Sequence, residues 1–429
     1  MIYENWWHTG ALAIKVPYCE SLRENITADC LVIGGGFAGL HAALQLVESG
    51  RKVVLLEKNI CGGSSSGQSG GFLTPESEED LDKLVKSVGE KEARLIYPIP
   101  LSGVNLIINT VKKYKFKCDL RKQDSLYLSN KKSHNKTIEE EAETRKEMHL
   151  PYKLYDKEGL KKVHPGRNYY VGMRYGGSYG INSFAYTQEM KSLLLTKGVR
   201  IFEDSDVRAI EGNRAITHLG SVTAKNIILS IDKMKSELDD ELSKKYYHFQ
   251  TYIAISEPLS SQEMESIFPK DELMCWDARW DYMYYRPVSG NRIIVGGSSP
   301  FNAYHPTYTY SPKIINYFIN DLKNQFPSIK DVHFTHYWSG LLDVTKDLTP
   351  IADYNPKNKS IQFTLGCAGL PWAAFCGDYL ARRIIDPKKT EDLSNFLGVH
   401  REFFVSDTMQ KFLGKRISFM ISHLKHMLS

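Results

Sequence analysis

Apolar positions in the first sixty residues fall into two runs separated by a helical stripe. Cys30-Leu31-Val32-Ile33 is continuous, Gly34-Gly35-Gly36 interrupts it, and Leu40, Ala43, Leu44 and Val47 then recur at helical spacing. Gly50 closes the stripe, and Val53-Val54-Leu55-Leu56 is a second apolar run ending in Glu57. This pattern predicts strand, turn, amphipathic helix and a second buried strand. Residues 77–115 read as largely helical. The charged run from Lys136 to His149, with Glu141 and Arg145 four apart, predicts a solvated helix.

Alternation returns further on. Met190, Leu193, Leu194 and Leu195 predict a helix ending near Gly198, followed by strands at Val199–Phe202, Asp206–Ile210 and Ile227–Ile231. Residues 246–300 alternate as antiparallel strands, including Tyr252–Ile255, Tyr282–Arg286 and Arg292–Gly297 around a Ser289-Gly290-Asn291 turn. Ile361–Leu365 predicts a strand, Gly366–Gly369 a turn, and Pro371–Ile385 a helix, with proline suited to the first helical position. In the tail, Phe412, Leu413, Ile417, Met420, Ile421, Leu424 and Leu428 lie at helical spacing among Lys411, Lys415, Arg416 and Lys425. Such a basic amphipathic helix suits either an anionic membrane surface or packing on the protein or a second subunit.

The first turn carries chemistry. Gly34-x-Gly36-x-x-Gly39 sits between a strand and a helix, with Glu57 at about the ~20-residue distance expected of a ribose-binding acid. Gly34 permits the tight turn, Gly36 lets backbone approach a pyrophosphate, and Gly39 lets helix and strand pack closely. The helix N-terminus offers N–H groups and partial positive charge to the phosphates. Soon after comes Gly62-Gly63-Ser64-Ser65-Ser66-Gly67-Gln68-Ser69-Gly70-Gly71-Phe72, too long for a simple turn. Its place behind an acidic strand end favours a ligand-threading loop over a surface linker.

Composition narrows the picture little. The 429 residues are 42% hydrophobic and 24% charged with a formal net charge of +5, ordinary for a globular chain of two domains. This balance does not indicate nucleic-acid binding. Seven scattered cysteines lack metal-ligand or C-x-x-C spacing, so free thiols in a reducing cytoplasm are expected and no metal is assigned. The N-terminus lacks the form of a secretory signal, and no apolar run reaches membrane-spanning length. A cytoplasmic location is expected, with the tail as the one segment suited to the inner face of a membrane.

The fingerprint, the Ser/Gly loop, the Gly296-Gly297 strand, Trp338, Gly340, Thr345, Asp347, Pro350 and the Gly366-x-x-Gly369 turn together resemble the D-amino-acid-oxidase superfamily of FAD enzymes. Within it the chain is most similar to gamma-glutamylputrescine oxidoreductase-like proteins. Trp6-Trp7, the Ser66-Gly67-x-x-Gly70-Gly71-Phe72 loop and Tyr284-Tyr285-Arg286-Pro287 carry that likeness. The resemblance implies an α/β fold: a Rossmann-like FAD-binding domain with an inserted, mainly antiparallel, sheet-rich substrate domain. The expected boundaries are 27–108, 172–233 and 336–390 for FAD, 109–171 and 234–335 for substrate, and 391–429 for a helical tail.

The resemblance also implies site residues. Gly34, Gly36, Phe37, Ala38 and Gly39 would meet the pyrophosphate, and Glu57 with Lys58 the adenosine ribose. Ser64, Ser65, Ser66, Gln68, Gly70 and Gly71 would follow the cofactor toward its ring, Val207 would meet the adenine, and Gly340, Gly366, Gly369 and Leu370 would border the ring. A helix starting at Pro371 either points its positive end at the reduced ring or simply packs. The cysteine and histidine that bind flavin covalently in some relatives are absent, which implies non-covalent FAD.

Departures from the family bear on substrate. The carboxylate-clamping Gly-Leu-Arg-Pro of amino-acid oxidases is here Gly340-Leu341-Leu342-Asp343, and the turn from Gly366 to Trp372 has no arginine. Arg286 is either a replacement anchor or a sheet-edge arginine. Trp276, Trp280, Tyr282, Tyr284, Tyr285, Trp338 and Trp372 are candidates for an aromatic wall able to bind an alkylammonium, or for plain core. Tyr284, Arg286, Trp338 and Trp372 are the pocket candidates. The expected activity is FAD-dependent oxidation of an amine by hydride transfer, with oxygen or quinone as acceptor. A membrane-associated dehydrogenase of an amino or hydroxy acid and a non-catalytic flavoprotein are the alternatives.

Overall fold

The computed structural model describes residues 1–11, 17–298 and 303–428. Two sheets organise them. The nucleotide-type sheet has Asn25–Ile33 at its centre, paired in parallel with Val53–Leu56 and with Ser221–Leu229. Arg200–Phe202 extends it beyond Val53–Leu56, and Asn358–Leu365 runs parallel to Ser221–Leu229. Leu31, Val32, Leu55, Ile227 and Ile228 are fully buried because helices and loops cover both faces.

One face is covered by the fingerprint helix, Phe37–Glu48, which ends at the left-handed Gly50 (φ 82°) as expected. The closing helix, Leu370–Ile385, lies directly on it, and a Cβ on Gly377 would stand 1.9 Å from the Ala38 carbonyl oxygen. The fingerprint helix is therefore buried almost all round rather than along one stripe. Residues 77–115 form three helices, Leu81–Val88, Glu90–Ile96 and Pro98–Tyr114. The last supports the start of the closing helix, with Gly103 against the Pro371 backbone.

The second sheet has nine strands. Its antiparallel centre is Phe334–Thr345, Tyr246–Ser256, Arg292–Gly297, Met283–Val288 and Leu273–Asp277, in that order. Asp124–Ser129, Val171–Tyr175 and Lys153–Tyr155 continue it on one side, and Ile2–Tyr3 pairs with Phe334–Thr345 on the other.

Several expectations need correcting. The boundaries placed at 172 and 336 fall inside strands of the nine-stranded sheet, since long-range pairing decides which sheet a strand joins. Asp206–Arg208 is irregular, and the strand begins at Ala209. Glu141 and Arg145 are both 3% exposed and bonded at 2.8 Å, with Arg145 over the Tyr175 ring, so that helix carries a buried ion pair.

The tail forms Asp407–Leu428 with a break at Gly414 (φ 75°). The break interrupts the apolar stripe, which is buried in part and exposed in part. Phe419 is fully buried against Tyr247, Phe249 and Tyr304, whereas Phe412 is 87% and Ile417 50% exposed. The side chains of Leu424, Lys425 and Leu428 lie outside the described residues. Among the described residues no helix is long and apolar enough to cross a membrane.

Candidate functional site

The C-terminal ends of the parallel strands open on a solvent-connected cleft. Such strand ends are where open α/β sheets bind ligands. Gly34 adopts φ 108° and any Cβ there would meet the Ser230 carbonyl at 2.3 Å, so only glycine fits the turn. The helix that follows has Gly36 at its N-cap and no side-chain cap, which leaves first-turn N–H groups facing the cleft. Phe37 N–H is an exception, donating to Ser66 Oγ at 3.0 Å.

Glu57 lines the same cleft. Its two carboxylate oxygens accept from Gly35 N–H (2.8 Å) and Asn59 N–H (2.9 Å), which fix its orientation and leave further lone pairs. Burial pushes its carboxyl above the usual range. An uncapped helix start, glycines that allow backbone contact and an oriented acid fit the pyrophosphate and ribose of a dinucleotide.

Gly34, Gly36, Phe37, Ala38, Glu57, Lys58, Ser64, Ser65, Ser66, Val207 and Gly366 line the cleft together. Gly39 does not; it lies behind the turn, where a Cβ would be 1.9 Å from the Gly34 carbonyl oxygen. Gln68, Gly70, Gly71, Gly340, Gly369 and Leu370 also lie off this wall. Gly340 faces Gln68, with an ideal Cβ 4.0 Å from that of Gln68. Leu370 is core at 5% exposure, and Gly369 (φ 93°) begins the closing helix without a side-chain cap.

The Ser/Gly loop is no slack linker. Asn5 Nδ2 donates to Gly67 O, Trp338 Nε1 to Gln68 O, Trp7 Nε1 to Ser69 O, and Arg286 to Gly70 O. Tyr308 OH adds a bond to Gln68 Oε1 at 2.9 Å. Arg286 is 1% exposed, and its guanidinium also donates to Ile181 O at 2.8 Å. Burial lowers its pKa to about 9, so it stays charged at neutral pH. Both readings of Arg286 are thereby corrected: it is neither a sheet-edge residue nor a free anchor for a carboxylate.

The aromatic candidates separate into groups. Tyr284 stacks with Tyr282 (6.1 Å) and meets Phe72 edge-on (5.2 Å). Trp372 is 2% exposed beside the Gly369 turn, with its Nε1 buried and without a hydrogen-bond partner among the described residues. Trp276 instead packs on Tyr127 and Tyr175, Trp280 is 45% exposed, and Tyr285 bonds to His164 and Tyr169 in the core.

Sequence reasoning missed the polar cluster that follows strand Ser221–Leu229. Ser230, Asp232 and Lys233 line the cleft. Lys233 Nζ donates to Asp232 (2.5 Å), Leu341 O (2.7 Å) and Ser65 Oγ (3.1 Å), and Asp232 also accepts from Ser65. Burial opposes the Lys233 charge, but Asp232 outweighs it and holds the ammonium above its ordinary pKa. Behind them Asp343, pushed up to about 6 by burial and by Asp232, accepts from His248 Nδ1 at 2.8 Å. The signal was available: polar residues directly after a buried parallel strand belong to the ligand end of the sheet.

Comparison with known proteins agrees with this geometry. Residues 29–383 match the family model described as FAD dependent oxidoreductase. The Haemophilus influenzae protein named Probable oxidoreductase OrdL is 29% identical over 333 residues, 75% of each chain. Gamma-glutamylputrescine oxidoreductase of Escherichia coli is 27% identical over 372 residues, 84% of each. Among solved structures, glycine oxidase from Geobacillus kaustophilus superposes with TM-score 0.76 at 16% identity, covering 88% of this chain and 99% of that one. L-proline dehydrogenase from P. horikoshii gives 0.72 at 16% identity, covering 87% and 97%. A dinucleotide cleft of this form, within a match spanning most of the chain, places the protein in the FAD-dependent oxidoreductase family whose model it fits.

Proposed function

We propose that this protein oxidises the C–N bond of an amine, with FAD held non-covalently along the cleft. The observation that carries the reading is the commitment of Arg286 to backbone carbonyls beside an aromatic wall. With leucine at position 342, the segments that hold arginine in amino-acid oxidases offer a carboxylate no bidentate partner here. The chemistry that FAD supplies when bound is acceptance of a hydride from the carbon bearing the nitrogen.

The chain's own residues bind and orient. The N–H groups of Gly36 and Ala38 at the helix start would hold the pyrophosphate, with Phe37 N–H already engaged by Ser66 Oγ, and Glu57 and Lys58 would hold the ribose. Ser64, Ser65 and Ser66 follow the cofactor, while the clamped carbonyls of Gln68 and Gly70 keep Gly70 and Gly71 beside it. Gly340, Gly366, Gly369 and Leu370 border the ring, and Tyr284, Trp338 and Trp372 shape the substrate side. The test is the visible spectrum of the FAD-loaded protein under anaerobic addition of substrates. Bleaching by a polyamine-like amine but not by glycine or sarcosine supports the reading; bleaching only by carboxylate-bearing substrates rejects it.

A second reading, a membrane-associated dehydrogenase that reduces quinone, draws on one observation. Met409, Phe412 and Ile417 are exposed on the tail next to Lys411 and Arg416. Sedimentation with anionic vesicles tests it. Rapid reoxidation of the reduced protein by oxygen, together with no vesicle binding, removes it in favour of an oxidase.

A further inference from the structure

One side chain joins the two sheets at the wall of the cleft. Lys233 follows strand Ser221–Leu229 of the nucleotide-type sheet, and its Nζ donates to Leu341 O (2.7 Å) on strand Phe334–Thr345 of the antiparallel sheet. The same ammonium donates to Ser65 Oγ (3.1 Å) in the Ser/Gly loop and to Asp232 Oδ2 (2.5 Å). All three of its donors are thereby used, so Lys233 fixes protein groups rather than gripping a ligand itself.

Its backbone is strained in reaching that place. Lys233 adopts φ 63°, a left-handed conformation that costs free energy for a residue with a side chain. Asp343, 1% exposed, holds it there: Oδ2 accepts from Lys233 N–H at 2.6 Å, and the Asp343 N–H donates to Asp232 Oδ1 at 2.9 Å. Both Asp232 oxygens are therefore engaged, one by the Asp343 N–H and the other by Lys233 and Ser65. Burial opposes the Asp232 charge, but Lys233 outweighs it and keeps the carboxyl below its ordinary range. Strain held by a satisfied polar network at a cleft wall points to a role for that wall.

The charge of the wall also depends on Lys233. Among the described residues, Glu57, Asp206 and Asp232 line the cleft together with Lys58, Lys233 and Lys235. Without Lys233, Asp232 would stand unpaired in a cleft that takes a negatively charged pyrophosphate. We infer that Asp232 and Lys233 form a charge-compensated clasp that positions FAD. The clasp fixes Ser65 to the Leu341 strand, and the next residue, Ser66, holds Phe37 N–H at the start of the fingerprint helix. Lys233 is thus a positioning residue, and the inference holds whichever substrate the flavin oxidises.

The experiment is equilibrium dialysis of the FAD-loaded full chain at about 0.05 M and about 0.5 M salt, with thermal unfolding in saturating FAD. The proteins are wild type, Lys233→Met, Asp232→Asn and the double variant. Lys233→Met is expected to raise the FAD Kd at least about tenfold at low salt and by less at high salt, where the unpaired Asp232 is screened. Adding Asp232→Asn should recover about threefold or more of that loss and remove its salt dependence. Asp232→Asn alone should weaken FAD less than Lys233→Met, since a cation remains at the wall. A Kd for Lys233→Met within about threefold of wild type overturns the clasp. So does a lowered unfolding temperature with equal loss of FAD in both Lys233 variants at both salt concentrations, the mark of a strut that supports only the fold. If Lys233→Met does not fold, the double variant is read against Asp232→Asn with no unpaired acid present, and a difference below about threefold there overturns the clasp as well.

Discussion

The guanidinium of Arg286 grips the carbonyl oxygen of Gly70 with two donors, Nε at 3.0 Å and Nη2 at 2.8 Å. Together with the Trp338 bond to Gln68 O, that contact ties the antiparallel sheet to the loop that borders the cofactor cleft. A lysine at 286 keeps the charge but loses the planar fork, so it cannot hold Gly70 O and Ile181 O together. Arg286→Lys is expected to lose about 2–4 kcal/mol of stability, since a buried charge is left poorly satisfied. FAD should also dissociate more readily. Thermal unfolding and flavin retained through gel filtration read the two effects, and a fully loaded variant with an unchanged Tm would show the grip to be dispensable.

The elements surrounding this contact differ in how readable they were. The strand, glycine turn and helix at 30–57 were legible because periodicity and glycine spacing are local properties. The clamp on the Ser/Gly loop was not. Asn5 and Trp7 lie in a lead-in with no periodicity, and only tertiary contact brings them to Gly67 and Ser69. Glu141 and Arg145 misled for the same reason: helical spacing suggested solvent, but Asp82 N–H and the Tyr175 ring enclose the pair. The domain seam at 336 failed because Phe334–Thr345 takes its place from pairing with Tyr246–Ser256, far away in sequence.

Gly377 was likewise invisible as a constraint. It sits mid-helix, where alanine has the better intrinsic propensity. A Cβ there would meet the Ala38 carbonyl oxygen at 1.9 Å and its carbon at 2.7 Å, both on the backbone of the fingerprint helix. Gly377→Ala should therefore push the two helices apart and destabilise by about 2 kcal/mol or more, against the sign that propensity predicts. Flavin binding should weaken too, because the fingerprint helix carries the phosphate end of the cleft. Denaturant unfolding gives the sign directly; a stabilised variant would mean that the helices do not meet this closely.

Glu76 sets part of the pH dependence of stability. Burial pushes its carboxyl from 4.5 up to about 7, with Arg145 and the Tyr175 hydroxyl opposing. Its Oε2 is buried without a partner among the described residues, which also favours the neutral acid. A raised acid means that the fold retains a proton the unfolded chain has released. The contribution is therefore full below about pH 4.5 and is lost as pH rises through about 7, by up to ~3 kcal/mol. Glu76→Gln fixes the neutral form, so its unfolding free energy should decline less than that of wild type between pH 5 and 8. Parallel curves would show that the carboxyl titrates normally.

Phe419 decides what the tail does for the fold. Its ring is fully buried at 5.6 Å from Tyr247, 6.0 Å from Phe249 and 5.6 Å from Tyr304, on the outer side of the strand that pairs with Phe334–Thr345. Phe419→Ala should cost about 3–5 kcal/mol if the tail unfolds together with the sheet. If the tail detaches alone, the cost falls toward the small free energy of a local opening, and amides near 415–422 exchange quickly while the sheet stays protected. Phe412, 87% exposed, makes the contrast: Phe412→Ser should leave Tm unchanged. If that substitution instead lowers binding to anionic vesicles, the tail serves two surfaces at once, one gripping the sheet and the other a membrane.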